Sequence, residues 1–232
     1  MKKFLLFLLV LVVGIFLATQ FLLPNYVESR IEKEINKSLQ PDSQVVNVEV
    51  QPGFKLLYGG EADQVSGTLK NVRLGKLNFA NFDYDAKQIL INPVSLIANQ
   101  ELDVISVGKA SIDGVITSAD LSAFLSEQAG NTIKDVKVNI GNDKITLSGD
   151  MNVGMMFRGT IQLEGALELK GNTLVFAPKR FTLNGATIPG FTSGILETTE
   201  IYDFNTFPIP VKAERIDVTN GEIHIKVIPV LK

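Results

Sequence analysis

The sequence contains no cysteine, no tryptophan and a single histidine, His224, among its 232 residues. Without cysteine the chain forms no disulfide, offers no thiolate nucleophile and lacks the cysteine and histidine cluster of a zinc site. Histidine is the side chain that enzymes use most often as a general base. His224 alternates with Ile223 and Ile225, which places it on the polar face of a strand. We therefore expect a protein that is not an enzyme.

Other signatures of catalysis are missing as well. The sequence has neither a Walker loop nor a dinucleotide-binding glycine motif. Residues 190–194 resemble the nucleophile elbow of hydrolases, but their serine stands one position too late. Asp83 and Asp85 would share one face of a strand, yet calcium and magnesium need more oxygen ligands and no third carboxylate is near in sequence. The sequence predicts no catalytic residues, no metal site and no cofactor.

The charge is slightly acidic, with 22 basic and 25 acidic residues and a formal net charge of -3. This balance argues against a nucleic-acid partner. It also argues against electrostatic adhesion to anionic lipid, which needs clustered lysine and arginine beside the membrane. Six scattered basic residues remain as candidates for phosphate contacts: Lys55, Arg73, Lys76, Arg158, Lys179 and Arg180. Because such residues decorate the outer face of any sheet, a solvated surface is the simpler interpretation.

An uncharged apolar stretch runs from Phe4 to Leu23, behind two lysines. As a helix, about 20 such residues cross the hydrocarbon core of a bilayer, and the lysines predict a cytoplasmic N-terminus. A cleavable signal peptide is the alternative, but the small residues expected before its cleavage site are not in place. We predict a signal anchor at residues 1–23 and one extracytoplasmic domain at residues 24–232. In the alternative the domain is secreted after cleavage.

The most regular pattern runs from Ile145 to Leu169, where every odd position is apolar or glycine and the even positions are mostly polar. Such alternation predicts strands with one apolar face. Strands rarely exceed about 10 residues, so the run must turn or bend. A two-residue loop would exchange odd and even positions; the turn therefore has an odd length or contains a bulge. We place it at Gly154-Met155-Met156.

That turn would put Met155, Met156 and Phe157 at a hairpin tip. Methionine and phenylalanine at a loop tip are typical of contact with an apolar partner, so this tip is a candidate for membrane contact. The alternative is that a neighbouring element of the same protein covers it.

Two helices accompany the strands. The first continues from Pro24 and carries an apolar stripe at intervals of four: Val27, Ile31, Ile35 and Leu39. We expect this stripe to pack on a sheet, with the membrane surface as the alternative. The second is capped by Thr117 or Ser118 and has Asp120 in its first turn. Further strands are predicted around residues 46–50, 65–74, 77–91, 101–117, 136–140, 174–176, 211–218 and 222–227.

The apolar faces of the second helix and the long alternating run would enclose a groove if they leave one open. Its predicted lining is Leu121, Phe124, Leu125, Met151, Val153, Met155, Phe157, Ile161 and Leu163. A dry core would use the same residues, so the sequence leaves a groove and a filled core as alternatives.

The order of several short landmarks resembles one known family. Pro52, Leu57 and Gly59 precede a strand; Ile116, Thr117, Asp120, Leu121 and Leu125 mark a junction from strand to helix; Leu174, Pro178, Ile188-Pro189, Phe207-Pro208, Val211 and Gly221-Glu222-Ile223 follow. This succession resembles the LmeA-type phospholipid-binding proteins of the bacterial cell envelope. The resemblance implies an α+β, tubular lipid-binding-like fold, in which a long, strongly twisted antiparallel β-sheet wraps one or two helices.

The resemblance also implies a phospholipid or glycolipid partner and no catalytic motif. We therefore expect a membrane-anchored extracytoplasmic phospholipid-binding protein that holds acyl chains between sheet and helix, with lipid transfer as an extension of that role. A non-enzymatic structural or scaffolding envelope protein with a dry core is the main alternative, and an enzyme acting on lipids or cell-wall polymers is the remaining one.

Overall fold

The computed structural model describes residues 2–130, 133–142, 144–153, 157–187, 198–219 and 221–230. The helices are α1 (Lys2–Leu39), α2 (Lys55–Tyr58) and α3 (Ser118–Ala129), with a π-helical turn at Ser95–Asn99 and a 3-10 turn at Phe204–Thr206. The strands are β1 (Ser43–Glu49), β2 (Glu61–Leu74), β3 (Leu77–Ile91), β4 (Val104–Thr117), β5 (Ile133–Ile140), β6 (Ile145–Val153), β7 (Phe157–Lys170), β8 (Thr173–Leu183), β9 (Ala186–Thr187), β10 (Thr199–Asp203), β11 (Val211–Thr219) and β12 (Glu222–Pro229).

The strands form two sheets. The first has the order β1-β2-β3-β4-β12-β11, and the second has the order β10-β8-β7-β6-β5 with β9 beside β8. Mostly antiparallel strands with a few helices confirm the predicted α+β class. The single long sheet of the prediction is instead divided, because α3 follows β4 and β5 then begins the second sheet.

The chain divides into two compact units. The first contains residues up to Leu69 together with Asp83–Ser111, and the second contains Lys70–Phe82 and Ile112–Val230. The long strands β2, β3 and β4 therefore contribute residues to both units. The prediction of a single domain over residues 24–232 stays a prediction.

In the first unit, α1 packs on strands through its predicted stripe. Val27 is 2% exposed in a core with Val48, Leu56 and Leu96, and Ile31 and Ile35 pack against that core. Burial of apolar side chains of this kind is the main favourable contribution to folding. The prediction that this stripe packs on a sheet is confirmed for these residues.

The predicted anchor and the predicted amphipathic helix form one helix, since α1 continues through Pro24. Within the described part of the chain, no helix is both long and apolar enough to cross a membrane. The side chains of most of residues 4–21 lie outside that part. The transmembrane helix of the predicted fold thus has no support from the structure, and the anchor stays a prediction.

Tyr84, on β3, has a buried hydroxyl with no hydrogen-bond partner among the described residues. Burial, with a smaller contribution from the charge of Glu32, raises the pKa of Tyr84 from 10.0 to about 12. The folded state therefore retains this proton at a pH where the unfolded chain has lost it. The resulting stabilisation is complete below pH 10 and is lost as the pH rises towards 12.

We expect Tyr84→Phe to leave the free energy of unfolding at neutral pH unchanged or to raise it, because an unpaired buried hydroxyl is removed. The variant should also lose less stability than the wild type between pH 10 and 12. Urea unfolding at neutral and alkaline pH measures both effects, with Tyr58→Phe at an exposed ring as the matched control. Destabilisation at neutral pH by more than about 1 kcal/mol would show that the hydroxyl has a partner.

In the second unit, β6 and β7 form the hairpin predicted from the alternating run. Ile145 pairs with Gly165, Leu147 with Leu163, and Val153 with Phe157. Three residues connect the strands, so odd positions face odd positions, and the predicted odd-length turn is confirmed. Residues 154–156 lie outside the described residues, as does the side chain of Phe157. The membrane-contacting tip at Met155, Met156 and Phe157 therefore stays a prediction.

Asn172 joins the two sheets within the second unit. It lies in the two-residue loop between β7 and β8, since Lys170 pairs with Thr173. Its amide nitrogen donates to the carbonyl oxygen of Val211 at 2.9 Å, and its amide oxygen accepts from the backbone N–H of Ala213 at 2.7 Å. One turn side chain thereby fixes β11 beside the second sheet.

Aromatic rings fill part of the core of the second unit. The ring of Phe79, which is 1% exposed, meets those of Phe82 and Tyr202 edge-on at centroid distances of 5.9 and 6.0 Å. Tyr202 in turn meets Phe204 at 5.0 Å. Gly114 makes room for this cluster, because a Cβ at that position would lie 2.8 Å from a ring carbon of Phe79.

Candidate functional site

A cavity of about 290 Å³ lies in the second unit, between α3 and the second sheet. Its walls come from α3, β5, β6, β7, β8 and β10. The lining residues are Leu125, Gln128, Ala129, Ile133, Val136, Leu147, Ser148, Gly149, Ile161, Leu163, Phe176, Pro178, Thr199 and Ile201. This space is the strongest candidate for a functional site in the described part of the chain.

The α3 wall is held in place at its first turns. Thr117 and Asp120 form a capping box, in which each side chain accepts a hydrogen bond from the other residue's backbone N–H. Asn78 donates to the second carboxylate oxygen of Asp120 at 2.6 Å, which fixes this end of α3 to β3. The hydroxyl of Ser122 accepts from the backbone N–H of Val138 at 2.9 Å, which fixes α3 beside β5. Of the two predicted caps, Thr117 and Ser118, the structure has Thr117, and this cap positions one side of the cavity.

The floor of the cavity is the apolar face of the β6–β7 hairpin. Leu147 lies opposite Leu163, and Gly149 lies opposite Ile161. Because Gly149 has no side chain, Ile133 of the neighbouring strand approaches it, and a Cβ there would lie 2.5 Å from the Ile133 methyl carbon. A glycine on this face thus lets β5 come close to β6.

A bulge in β5 directs two residues of opposite parity into the same cavity. Ile133 and Val136 would point to opposite faces of a regular strand. The pairing of β5 with β6 shifts by one residue between Lys134 and Lys137, and Asp135 has a φ of 52°. The extra residue brings both side chains to the cavity wall.

The far wall is built by Phe176 and Pro178 of β8 and by Ile201 of β10. Gly165 admits the ring of Phe176, since a Cβ at that glycine would lie 2.6 Å from the ring. Phe176 and Ile201 are buried, at 3% and 5% exposure, and form the interior. Gln128 and Thr199 are exposed and mark the mouth.

The cavity is uncharged and mostly apolar. Among its described lining residues only Gln128, Ser148 and Thr199 have polar side chains, and none carries a charge. Such a surface binds apolar groups and supplies no general acid or base. A dry cavity of about 150 Å³ holds one benzene, so this space of about 290 Å³ corresponds to roughly a dozen carbon atoms.

The structure brings together part of the predicted groove. Leu125, Ile161 and Leu163 line the cavity. Leu121 and Phe124 are buried, at 1% and 6% exposure, but lie outside its lining. Met151 lines a separate polar depression that includes Asp150 and Asn184. The side chains of Val153 and Phe157 and the whole of Met155 lie outside the described residues.

Several lining residues were missed by reasoning from the sequence. Gln128 and Ala129 follow Leu125 at helical spacing, and Leu147 and Gly149 share the odd face of the alternating run, so their pattern already contained the signal. No sequence signal connects the remaining lining residues with that face. They are Ile133, Val136, Ser148, Phe176, Pro178, Thr199 and Ile201.

The polar side chains considered above as metal-binding or catalytic candidates interact with neighbouring side chains instead. The carboxylates of Asp83 and Asp85 accept hydrogen bonds from Thr68 and Gln64, and the described residues contain no group of three potential metal ligands. His224 is half-exposed and lies 3.3 Å from the carboxylate of Glu222. The elbow-like residues 190–194 lie outside the described residues.

The basic residues proposed for phosphate contacts are mostly engaged with other groups. Lys55 lies 3.8 Å from Asp63, and Arg73 and Lys76 lie 2.9 and 3.8 Å from Glu127. Arg180 donates to the hydroxyl of Thr187. Lys179 is exposed, and the side chain of Arg158 lies outside the described part.

Comparison with known proteins agrees with an apolar binding site. A family model described as LmeA-like phospholipid-binding matches residues 18–228, which is most of the chain. Searches of curated proteins and of solved structures returned no significant match. The resemblance drawn from the sequence landmarks is confirmed, and the chain belongs to the LmeA-like phospholipid-binding family.

Proposed function

We propose that this protein binds a phospholipid by enclosing part of an acyl chain in the cavity between α3 and the second sheet. The observation that carries the proposal is an uncharged cavity of about 290 Å³ in a member of a phospholipid-binding family. Each buried methylene contributes roughly 0.8 kcal/mol, so a chain segment of several carbons binds without a charged clamp. In this proposal the polar residues at the mouth, Gln128 and Thr199, contact the ester or headgroup region.

The size of the cavity bears on what the protein does with the lipid. A space for roughly a dozen carbons holds part of one acyl chain and leaves the rest of the phospholipid outside. Such partial enclosure favours a protein that binds lipid at a membrane surface over a carrier that hides the whole molecule. In this proposal residues 4–23 tether the domain on the extracytoplasmic side, and a lipid is drawn partly out of the bilayer beside it.

The proposal predicts that the full chain, purified in mild detergent, carries about one phospholipid per molecule by native mass spectrometry. After delipidation, adding a phosphatidylcholine at 100 times its Kd should stabilise the fold by about 2.7 kcal/mol. For a chain of this length that corresponds to a rise in Tm of roughly 5–10 °C.

Glycerophosphocholine, which has the same headgroup and no acyl chain, is the matched control and should leave Tm unchanged. If the purified chain carries no phospholipid, and its Tm is the same with and without lipid, the alternative of a structural protein with a dry core is correct instead.

A further inference from the structure

One end of the first unit exposes apolar side chains beside neighbours that are fully buried. Leu57 and Tyr58 of α2 are 38% and 74% exposed, and Val94 and Ile97 at the π-helical turn are 69% and 57% exposed. On α1, Leu22 is 66% exposed. We call these five residues, Leu22, Leu57, Tyr58, Val94 and Ile97, the apolar end patch.

Two hydrogen bonds bring the three segments of this patch to the same end of the unit. Gly60, which follows α2, accepts through its carbonyl from the N–H of Ile91 at 2.9 Å, just before the π-helical turn. The N–H of Gly53, just before α2, donates to the side-chain oxygen of Gln20 on α1 at 2.7 Å. The loop around α2 therefore lies beside α1 at the point where the predicted anchor ends.

The core of the first unit is closed without the side chains of the patch. Leu56 and Leu96 come from the same two short helical segments, and they are 1% and 2% exposed in the core that Val27 joins. Their neighbours Leu57 and Ile97 point outward instead. A group of large apolar side chains that stays exposed beside a closed core is typical of a surface that another phase or molecule covers.

The composition of α1, which borders the patch, indicates that a lipid surface covers the patch. From Phe4 to Val27 the sequence has no charged residue, and Glu28 is the first. On this stretch Leu17 is 50% exposed and Leu22 is 66% exposed, so the exposed apolar face of α1 continues to the patch. A bilayer that contains residues 4–23 would have its interface at the level of Gln20 and the loop that Gln20 contacts.

The charges near the patch favour hydrophobic contact over electrostatic attraction. Lys55 lies 3.8 Å from Asp63, and Arg30 donates to the side-chain oxygen of Gln100 at 2.5 Å. Glu101 and Asp103 follow in the sequence. Among the described residues beside the patch there is thus no cluster of unpaired basic side chains of the kind that binds anionic lipid.

We propose that the apolar end patch inserts into the boundary between headgroups and acyl chains of a bilayer, including a zwitterionic one, and thereby holds the first unit against the membrane. This inference rests on the tethering part of the proposed function. It is separate from the cavity, which belongs to the second unit.

The absence of cysteine makes the test simple, because one introduced cysteine labels one position. Full-length Tyr58→Cys and Ile97→Cys chains carry an environment-sensitive fluorophore and are reconstituted into phosphatidylcholine vesicles with a nitroxide near the headgroup end of the acyl chain. Insertion at the interface predicts that the nitroxide quenches both labels by about half or more. Ser43→Cys is the control: Ser43 is exposed and follows the other end of α1, at Leu39, which lies roughly 25 Å along the helix from Leu22 at about 1.5 Å per residue.

Quenching at both patch positions and none at Ser43 is the expected result, and added salt should not reduce it. Equal quenching at all three positions, or none at any, would overturn the proposal. The proposal would also be overturned if a label on the patch is shielded in the absence of lipid, because the chain forms a dimer or a complex with another protein.

A Leu57→Ser/Ile97→Ser variant carrying the label at Tyr58 should lose most of the quenching while its Tm stays the same. Its cavity should still bind phospholipid in native mass spectrometry. In the labelled chains without the serine substitutions, quenching with no phospholipid in the cavity would contradict the proposed function alone. Bound phospholipid with no quenching would contradict the membrane contact of the apolar end patch alone.

Discussion

Ala129→Trp is expected to remove bound phospholipid while the protein remains folded. Ala129 is half-buried in the last turn of α3 and lines the cavity. An indole ring at this position exceeds the size of a benzene, for which about 150 Å³ suffices, and so occupies at least half of the 290 Å³. Excluding only two methylenes weakens binding about tenfold, so we expect at least a tenfold lower occupancy at limiting lipid.

Ala123→Trp provides the matched control on the same helix. Ala123 is exposed and does not line the cavity. Native mass spectrometry of both variants, with circular dichroism to verify folding, should show lipid lost from the first and retained by the second. If Ala129→Trp keeps its phospholipid, the acyl chain lies elsewhere.

Phe79→Ala is expected to lower the free energy of unfolding by about 3–5 kcal/mol, the usual cost of truncating a buried phenylalanine. Phe79 is 1% exposed and its ring meets Phe82 and Tyr202 edge-on. The glycine at position 114 offers no side chain to fill the void, because its lack of a Cβ is what admits the ring. Urea denaturation measures the loss.

Tyr58→Ala is the control for removing an aromatic ring of similar size. Its ring is 74% exposed, and surface substitutions usually change stability by no more than about 0.5 kcal/mol. A loss below about 1 kcal/mol for Phe79→Ala would show that the aromatic cluster collapses around the void and does not organise the second unit.

Local patterns predicted much of the fold because each has a direct physical cause. The unbroken parity from Ile145 to Leu169 required an odd-length turn, and the register places three residues between Val153 and Phe157. The sequence predicted a cap of α3 at Thr117 or Ser118. The structure has Thr117, because the side chain of Asp120, three residues into the helix, reaches back to that residue.

The cavity was only partly predictable, because its shape depends on contacts between distant residues. Ile133 and Val136 line the same space only because β5 bulges at Asp135, and alternation cannot reveal a bulge. Phe176 enters the wall because Gly165 leaves room across the strand pair. The division into two sheets was also not predictable. The alternation of apolar residues in β5 shows that it is a strand, but not that it pairs in a different sheet from β4.

The most direct measurement of the central claim is photo-crosslinking with a phosphatidylcholine that carries a diazirine on its acyl chain. Bound to the full chain and analysed by peptide mass spectrometry, the probe should label residues of the cavity wall, with Leu147, Ile161 and Phe176 as the expected positions. Ala129→Trp should abolish that labelling and Ala123→Trp should not. Labelling confined to peptides outside α3 and the second sheet would contradict the assignment of the cavity as the acyl-chain site.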